Sequence, residues 1–164
     1  MKKQDSSIKT DLDDLDHQIL EYLRDDSRMP FTNIAKKLKV PDTTVHFRVK
    51  KLRELGVIKK FSIVVPPETL GYRIVAWFTL KISGHIVEDI SIKRLNELTE
   101  YLSKMSNVKF VANTSENNIC ALVLTKNQAE LDQIIADLNH NPDIGELSVS
   151  KITKIVKGEG FTSI

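Results

Sequence analysis

Two kinds of hydrophobic spacing divide the chain into a helical first half and a mixed second half. In the first half, apolar residues recur every three or four positions, as on one face of a helix, in three short segments that end near Ser27, Lys39 and Gly56. The second half has strand-like and helical runs in the order β-α-β-β-α-β. This order predicts a ferredoxin-like α+β domain.

The first half begins with a polar stretch, residues 1–11, that has no periodicity and predicts a flexible N-terminal arm. A first helix follows from Leu12. Thr32 is the predicted N-cap of a second helix, and Pro41 or Asp42 opens a third. Gly56 lies just past the third helix, where a left-handed residue commonly ends one.

A β-branched run, Val57–Val64, predicts a strand directly after the third helix. Three short helices, the last one basic, followed by a strand predict a winged helix-turn-helix over residues 12–64. Pro66 and Pro67 mark a linker, so we expect residues 65–71 to join this domain to the ferredoxin-like domain at residues 72–164.

The second half begins with the strand-like run Tyr72–Ile82, whose central part, Ile74–Leu80, is apolar at both alternating sets of positions. A sheet covered by helices on one side and by a partner on the other requires this pattern. We therefore expect Trp77 or Phe78 at a dimer interface, and the pattern does not choose between them. A hairpin turn is predicted at residues 115–118, because asparagines tolerate the left-handed conformations of tight turns.

Composition is that of a globular protein, with 41% hydrophobic and 28% charged residues in a chain of 164. No apolar run approaches the ~20 residues that span a bilayer, and the polar start lacks a secretory h-region. Cys120 is the only cysteine. A single thiol fits a reducing compartment, so the expected location is cytoplasmic.

Charge is distributed unevenly along the chain. Residues 1–64 hold fourteen Lys and Arg against ten Asp and Glu, a net of +4, whereas residues 65–164 hold ten against twelve, a net of −2. Residues 31–60 alone carry a net of +7. A basic segment of this kind favours a polyanionic partner for the first half. The alternative is that these lysines only solvate helix faces.

The third helix has an unusual outer face opposite its apolar stripe. In a major groove, cations meet phosphates, hydroxyl and imidazole groups donate to base edges, and an aromatic ring contacts thymine methyl groups. The predicted DNA-binding residues are Thr43, Thr44, His46, Phe47, Arg48, Lys50 and Lys51, with Lys59 and Lys60 on the wing. The alternatives are that Phe47 packs into the core and that His46 is a solvent-facing bystander.

Catalytic and metal-binding patterns are not indicated by the sequence. The glycines are too scattered for a phosphate loop, and the four histidines lack zinc spacing with Cys120. Asp13, Asp14 and Asp16 fall in one first helical turn, where the helix dipole favours carboxylates. The sequence therefore predicts neither an enzyme nor a cofactor.

The chain resembles the Lrp/AsnC (leucine-responsive, feast/famine) family of regulators over roughly residues 12–156. The matching positions are Leu12-Asp13-x-x-Asp16-x-x-Ile19-Leu20, Asp26-x-Arg28, Ile34-Ala35-x-x-Leu38, Val45-x-x-Arg48-Val49-Lys50-Lys51-Leu52-x-x-x-Gly56-Val57-Ile58 and Leu70-Gly71. The resemblance implies a transcriptional regulator that dimerises through its second domain, assembles further to tetramers or octamers, and binds pseudo-palindromic double-stranded DNA. It also implies an amino-acid effector.

The hairpin departs from the family pattern Thr-Gly-x-x-Asp, because Ser115 stands in place of the glycine and Asn118 in place of the aspartate. The resemblance places effector binding at Thr114, Ser115, Glu116 and Asn118. If the missing carboxylate holds an ammonium group in the family, this protein should bind ordinary amino acids weakly or prefer another ligand. The other interpretation is that 114–118 is only a turn and dimer contact.

Two further functions stay open at this point. One is an effector-free architectural DNA-binding protein with the same helices and assembly. The other is an accessory module whose basic helix contacts RNA or protein. A steep salt dependence of binding to duplex DNA would distinguish the two DNA-binding functions from the accessory module.

Overall fold

The structure, a computed structural model, describes residues 12–83 and 88–158. The predicted arm at residues 1–11 lies outside the described residues. The chain divides into two compact units, Met1–Ile63 and Val64–Ile164.

The first unit is built from three helices, as the hydrophobic spacing predicts: α1 (Asp14–Asp25), α2 (Phe31–Leu38) and α3 (Asp42–Glu54). Their apolar stripes meet in one core of Ile19, Leu23, Ile34, Ala35, Val45 and Val49. The predicted N-cap at Thr32 is wrong. Phe31 packs against this core and is the first residue of α2, two positions before the start that a Thr32 cap implies, which leaves Pro30 at the cap position without a side-chain bond.

The predicted wing strand at Val57–Val64 is also not formed: the segment is irregular and pairs with no strand. The backbone N–H groups of Val57 and Ile58 both donate to Leu52 O, at 2.9 and 3.1 Å, and so complete the end of α3. The rest of the segment finds no strand edge to pair with, because the described part of this unit consists of helices. Ile58 nevertheless packs on the core.

The second unit has the predicted β-α-β-β-α-β order. Its elements are β1 (Ile74–Ile82), α4 (Glu88–Lys104), β2 (Val108–Asn113), β3 (Asn118–Thr125), α5 (Gln128–Asn139) and β4 (Ile144–Lys151), with a 3₁₀ turn at Pro67–Leu70 before β1. The sheet order is β2-β3-β1-β4 and every neighbouring pair is antiparallel. This arrangement confirms the ferredoxin-like fold.

The two faces of the sheet differ in how they are covered. Ala76, Phe78 and Leu80 of β1 are buried in a core shared with both helices. Trp77 and Thr79 alternate with them, are half-buried, and lie on the opposite face. The structure thereby decides between the two aromatic residues: Phe78 faces the helices and Trp77 faces away from them.

Candidate nucleic-acid interface

Helix α3 is placed by a few local features. Asp42 Oδ1 accepts from the Thr43 N–H at 2.8 Å in the first turn, and the chain leaves the helix through Gly56 at φ = 72°. Val45, Val49 and Leu52 are buried on its inner side. The opposite side is consequently fixed toward solvent.

The exposed side of α3 carries the residue types predicted from the sequence. Phe47 is 67% exposed, which excludes packing of this side chain into the core of the described unit. Thr43, His46, Lys50 and Lys51 are also exposed, and Thr44 is half-buried. Phe47 therefore shares the exposed side of α3 with Lys50 and Lys51, which follow it by three and four residues.

A groove of about 690 Å³ runs between α3 and the segment that follows it. Its lining residues include Phe31, His46, Phe47, Lys50, Arg53, Lys59 and Phe61. The His46 ring meets the Phe31 ring edge to face at 4.7 Å, so this imidazole is oriented by a neighbour. Lys59 and Lys60 are exposed. The structure thus brings cations of two segments to one aromatic-lined surface.

Arg48 is the predicted site residue whose surroundings differ from the others. Its Nη1 donates to Asp13 Oδ2 at 2.5 Å and to both carboxylate oxygens of Asp16 at 3.2 Å. Asp16 is only 2% exposed. The Asp16 backbone N–H, and after it the Arg48 guanidinium, hold the pKa of Asp13 below its usual value. Arg48 is therefore already ion-paired within the unit.

These three side chains also organise the start of α1. The Asp16 N–H donates to Asp13 Oδ1 at 2.9 Å and the Asp13 N–H to Asp16 Oδ2 at 3.4 Å, which is a capping box. We call Asp13, Asp16 and Arg48 the clamp. The sequence analysis explained the aspartates by the helix dipole and assigned Arg48 to DNA, and it did not predict the ion pairs that join them. The signal was present, because all three stand in the motif that carries the family resemblance.

The predicted effector residues lie together at the β2–β3 turn. Thr114 N–H donates to Asn118 O at 2.8 Å, and Asn118 N–H donates to Thr114 Oγ1 at 3.3 Å. The left-handed position is Asn117, at φ = 57°, and not Ser115. Replacing glycine by Ser115 therefore carries no backbone strain here.

Asn118 places its side-chain amide at the same turn. Its Nδ2 lies 3.5 Å from Glu116 Oε2, while its Oδ1 is buried and meets no hydrogen-bond partner among the described residues.

Within residues 12–83 and 88–158, no cluster of three or more His, Cys, Asp or Glu is arranged to hold a metal ion. No helix in those ranges has the length and apolar character needed to cross a bilayer.

Known proteins match both units. Residues 12–53 match the AsnC-type helix-turn-helix domain, and residues 72–164 match the PF0864 C-terminal dimeric alpha+beta barrel domain. The HTH-type transcriptional regulator PF0864 of Pyrococcus furiosus is 36% identical over 92% of this chain and 93% of its own. The regulator PYRAB09690 of Pyrococcus abyssi is 38% identical over 90% and 91%.

Solved structures extend the comparison. The structure of PF0864, described as a member of the AsnC family, superposes with a TM-score of 0.77 at 36% identity and covers 92% of this chain and 96% of its own. The regulator NMB0573 of Neisseria meningitidis, solved as an L-Met complex, gives a TM-score of 0.78 at 17% identity and covers 90% and 93%. At that identity the likeness shows the fold alone.

Proposed function

Because the chain belongs to the AsnC/Lrp family of helix-turn-helix transcriptional regulators, we propose that it reads operator DNA with the outer face of α3. In this proposal the DNA-binding domain is residues 12–64, residues 65–71 link it to the second domain, and residues 72–164 sense an effector and assemble the oligomer. Such a regulator works beside the chromosome, in the cytoplasm.

The single observation that carries the DNA-binding surface is the 67% exposure of Phe47 among exposed lysines. Lys50, Lys51, Lys59 and Lys60 contact phosphates in this proposal. Thr43, Thr44 and His46 donate to base edges, and Phe47 contacts thymine methyl groups. A helix is the element that the major groove admits.

A selection experiment tests this surface. Purified protein is used to enrich binding sequences from a pool of random 40-base-pair duplexes, and the enriched sequences are then footprinted. A two-fold dimer has two copies of α3, so we expect two inverted half-sites about one helical turn apart. Enrichment of sequences without inverted symmetry would contradict the proposed dimeric recognition.

Dimerisation through the uncovered sheet face is the second part of the proposal. Trp77 stacks on Phe110 there, with ring centroids 6.0 Å apart, and Cys120 lies on the same face. On this face the central strands carry no charged side chain from Val75 to Thr79 or from Cys120 to Leu124. A second copy of the same face is a matching cover, and two or four such dimers would assemble into a tetramer or an octamer.

Effector sensing at Thr114, Ser115, Glu116 and Asn118 is the third part. The unpaired Asn118 Oδ1 offers an acceptor to an ammonium group, and the similarly folded Neisseria regulator was solved with L-Met. The competing function is an effector-free architectural DNA-binding protein, which the loss of the family's carboxylate at this position favours.

A thermal-shift panel against the twenty amino acids at millimolar concentration separates these two functions. A ligand at a hundred times its dissociation constant adds about 2.7 kcal/mol to the free energy of unfolding. A shift that Asn118→Ala abolishes supports sensing at the turn, with Asn139→Ala, an exposed asparagine on α5, as the matched control. No shift with any amino acid favours the effector-free regulator.

A further inference from the structure

The clamp joins the middle of one helix to the start of another. Arg48 lies halfway along α3, whereas Asp13 and Asp16 form the capping box of α1. One guanidinium nitrogen contacts carboxylate oxygens from both aspartates. Among the residues whose burial the structure describes, Asp16 is the only charged one that is buried, and Arg48 is the cation that pairs with its carboxylate.

The clamp supplies directional contacts that apolar packing lacks. Val45 and Val49 hold α3 against the core through non-directional contacts. Charge-assisted hydrogen bonds from a guanidinium have a restricted geometry. Because Thr44, Phe47 and Lys51 lie within one turn of Arg48, a rotation of α3 that breaks the clamp would move all three on the DNA-facing surface.

The local charge argues against a phosphate contact at Arg48. Two carboxylates surround one guanidinium, so the cluster has a net charge of −1 at neutral pH. A phosphate group approaching this cluster meets repulsion rather than attraction. Lys50, by contrast, has its side chain 76% exposed and lies 3.9 Å from a single glutamate, Glu54.

We propose that Arg48 is a positioning residue, which sets the rotation of the recognition helix α3 through Asp13 and Asp16 and determines DNA selectivity without contacting DNA. This inference rests on the proposed DNA-binding function. It replaces the phosphate contact that the sequence suggested for Arg48.

The test compares variants that change charge in opposite directions. Arg48→Met and Arg48→Lys alter the clamp from α3, and Asp16→Asn alters it from α1 with little change in shape. Asp14→Asn is the matched control, because Asp14 is an exposed neighbour of the clamp in the first turn of α1. Binding is measured by fluorescence anisotropy on the best selected duplex and on the random pool, at several salt concentrations.

The positioning role predicts that Asp16→Asn lowers the ratio of selected to random affinity by about tenfold, although it removes a negative charge from a DNA-binding domain. Arg48→Met should lower this ratio by a similar factor and leave the salt slope of binding to the random pool unchanged. Arg48→Lys should lower the ratio by a smaller factor. Asp14→Asn should keep the wild-type ratio. Circular dichroism of each variant checks that the helices are retained.

Three results would overturn the inference. One is a stronger binding of Asp16→Asn to both duplexes with its selectivity unchanged. The second is a salt slope that is less steep by about one unit per protomer in Arg48→Met, the mark of a lost phosphate contact. The third is full retention of selectivity in Arg48→Lys, which contradicts a clamp that needs a guanidinium. This third result decides the test if Arg48→Met or Asp16→Asn unfolds. A wild-type protein that prefers no sequence removes the proposed function as well, and so differs from a failure of the clamp alone.

Discussion

The outer face of α3 and the uncovered face of the sheet both expose an aromatic ring, yet their surroundings are opposite. Phe47 is 67% exposed and shares its surface with Lys50 and Lys51. Trp77 is half-buried and stacks on Phe110, in a surface whose central strands bear no charge from Val75 to Thr79 or from Cys120 to Leu124. The first surface lies in a segment with a net charge of +7, and the second in a half with a net charge of −2.

An exposed aromatic residue therefore does not by itself identify a partner; the residues around it do. Cations around a ring favour a polyanion, which supplies both phosphates and apolar base edges. Neutral, apolar residues around a ring favour contact with a protein surface that is also neutral and apolar. We therefore propose that the first surface contacts DNA and the second a second copy of the chain, so that substitutions at the two surfaces should separate assembly from recognition.

The largest expected effect comes from Trp77→Glu, which places a charge in the proposed dimer interface. The protein should become monomeric in sedimentation, because burying an unpaired carboxylate is unfavourable. DNA affinity should fall by about a hundredfold or more, since two linked α3 helices bind better than one. Tyr101→Glu, at an exposed aromatic residue on α4, is the control and should remain dimeric. A dimeric Trp77→Glu protein would locate the interface elsewhere.

A smaller effect is expected from Lys50→Ala, which should weaken binding to all sequences alike and make the salt slope of a dimer less steep by about two units. Lys93→Ala is a closely matched control. Each lysine has its side chain 76% exposed and lies near a glutamate four residues later, at 3.9 Å for Lys50 and 3.7 Å for Lys93. If Lys50→Ala changed which sequences are preferred and kept its affinity for the random pool, Lys50 would contact a base and not a phosphate.

Selectivity should change in Thr44→Ala and in Phe47→Ala. Phe47→Ala should reduce the preference for thymine at one position of each half-site by about tenfold, and should alter the free energy of unfolding by less than about 0.5 kcal/mol, because the ring is exposed. Repeating the duplex selection with each variant measures the first effect, and urea unfolding measures the second. A large loss of stability would show that Phe47 supports the fold.

The smallest effect concerns acid. A carboxyl whose pKa is lowered on folding stabilises the protein above its unfolded pKa and loses this contribution as the pH falls through the folded pKa. For Asp13 the ordinary value is 3.8. The difference in unfolding free energy between wild type and Asp13→Asn should therefore be constant from pH 7 to about 5 and shrink below 3.8. Asp14→Asn supplies the baseline for removing a neighbouring charge, and a difference that already declines near neutral pH would contradict the assignment.

Local sequence patterns were sufficient to predict most of the fold. Spacing of apolar residues located all five helices of the described ranges, and the paired asparagines marked the turn where Asn117 adopts φ = 57°. The strand predicted at Val57–Val64 was wrong, because strand formation needs a partner edge as well as β-branched residues. Its first two N–H groups close α3 instead.

The candidate site could be predicted only as far as one helix determines it. The outer face of α3 follows from helical periodicity, so its exposed residues were found. The clamp could not be found this way, because Arg48 is 32 and 35 residues from its partners. The choice between Trp77 and Phe78 likewise depended on which side of the sheet the helices cover, which alternation alone does not give.

The salt dependence of wild-type binding to a random-sequence duplex measures whether lysines of the first unit contact DNA phosphates. If Lys50, Lys51, Lys59 and Lys60 of both protomers each neutralise one phosphate, the slope of log affinity against log salt should be about −7, a loss of about 10⁴-fold between 50 and 200 mM salt. A slope near zero would contradict the account, because the basic face of α3 would then not be in contact with the DNA backbone.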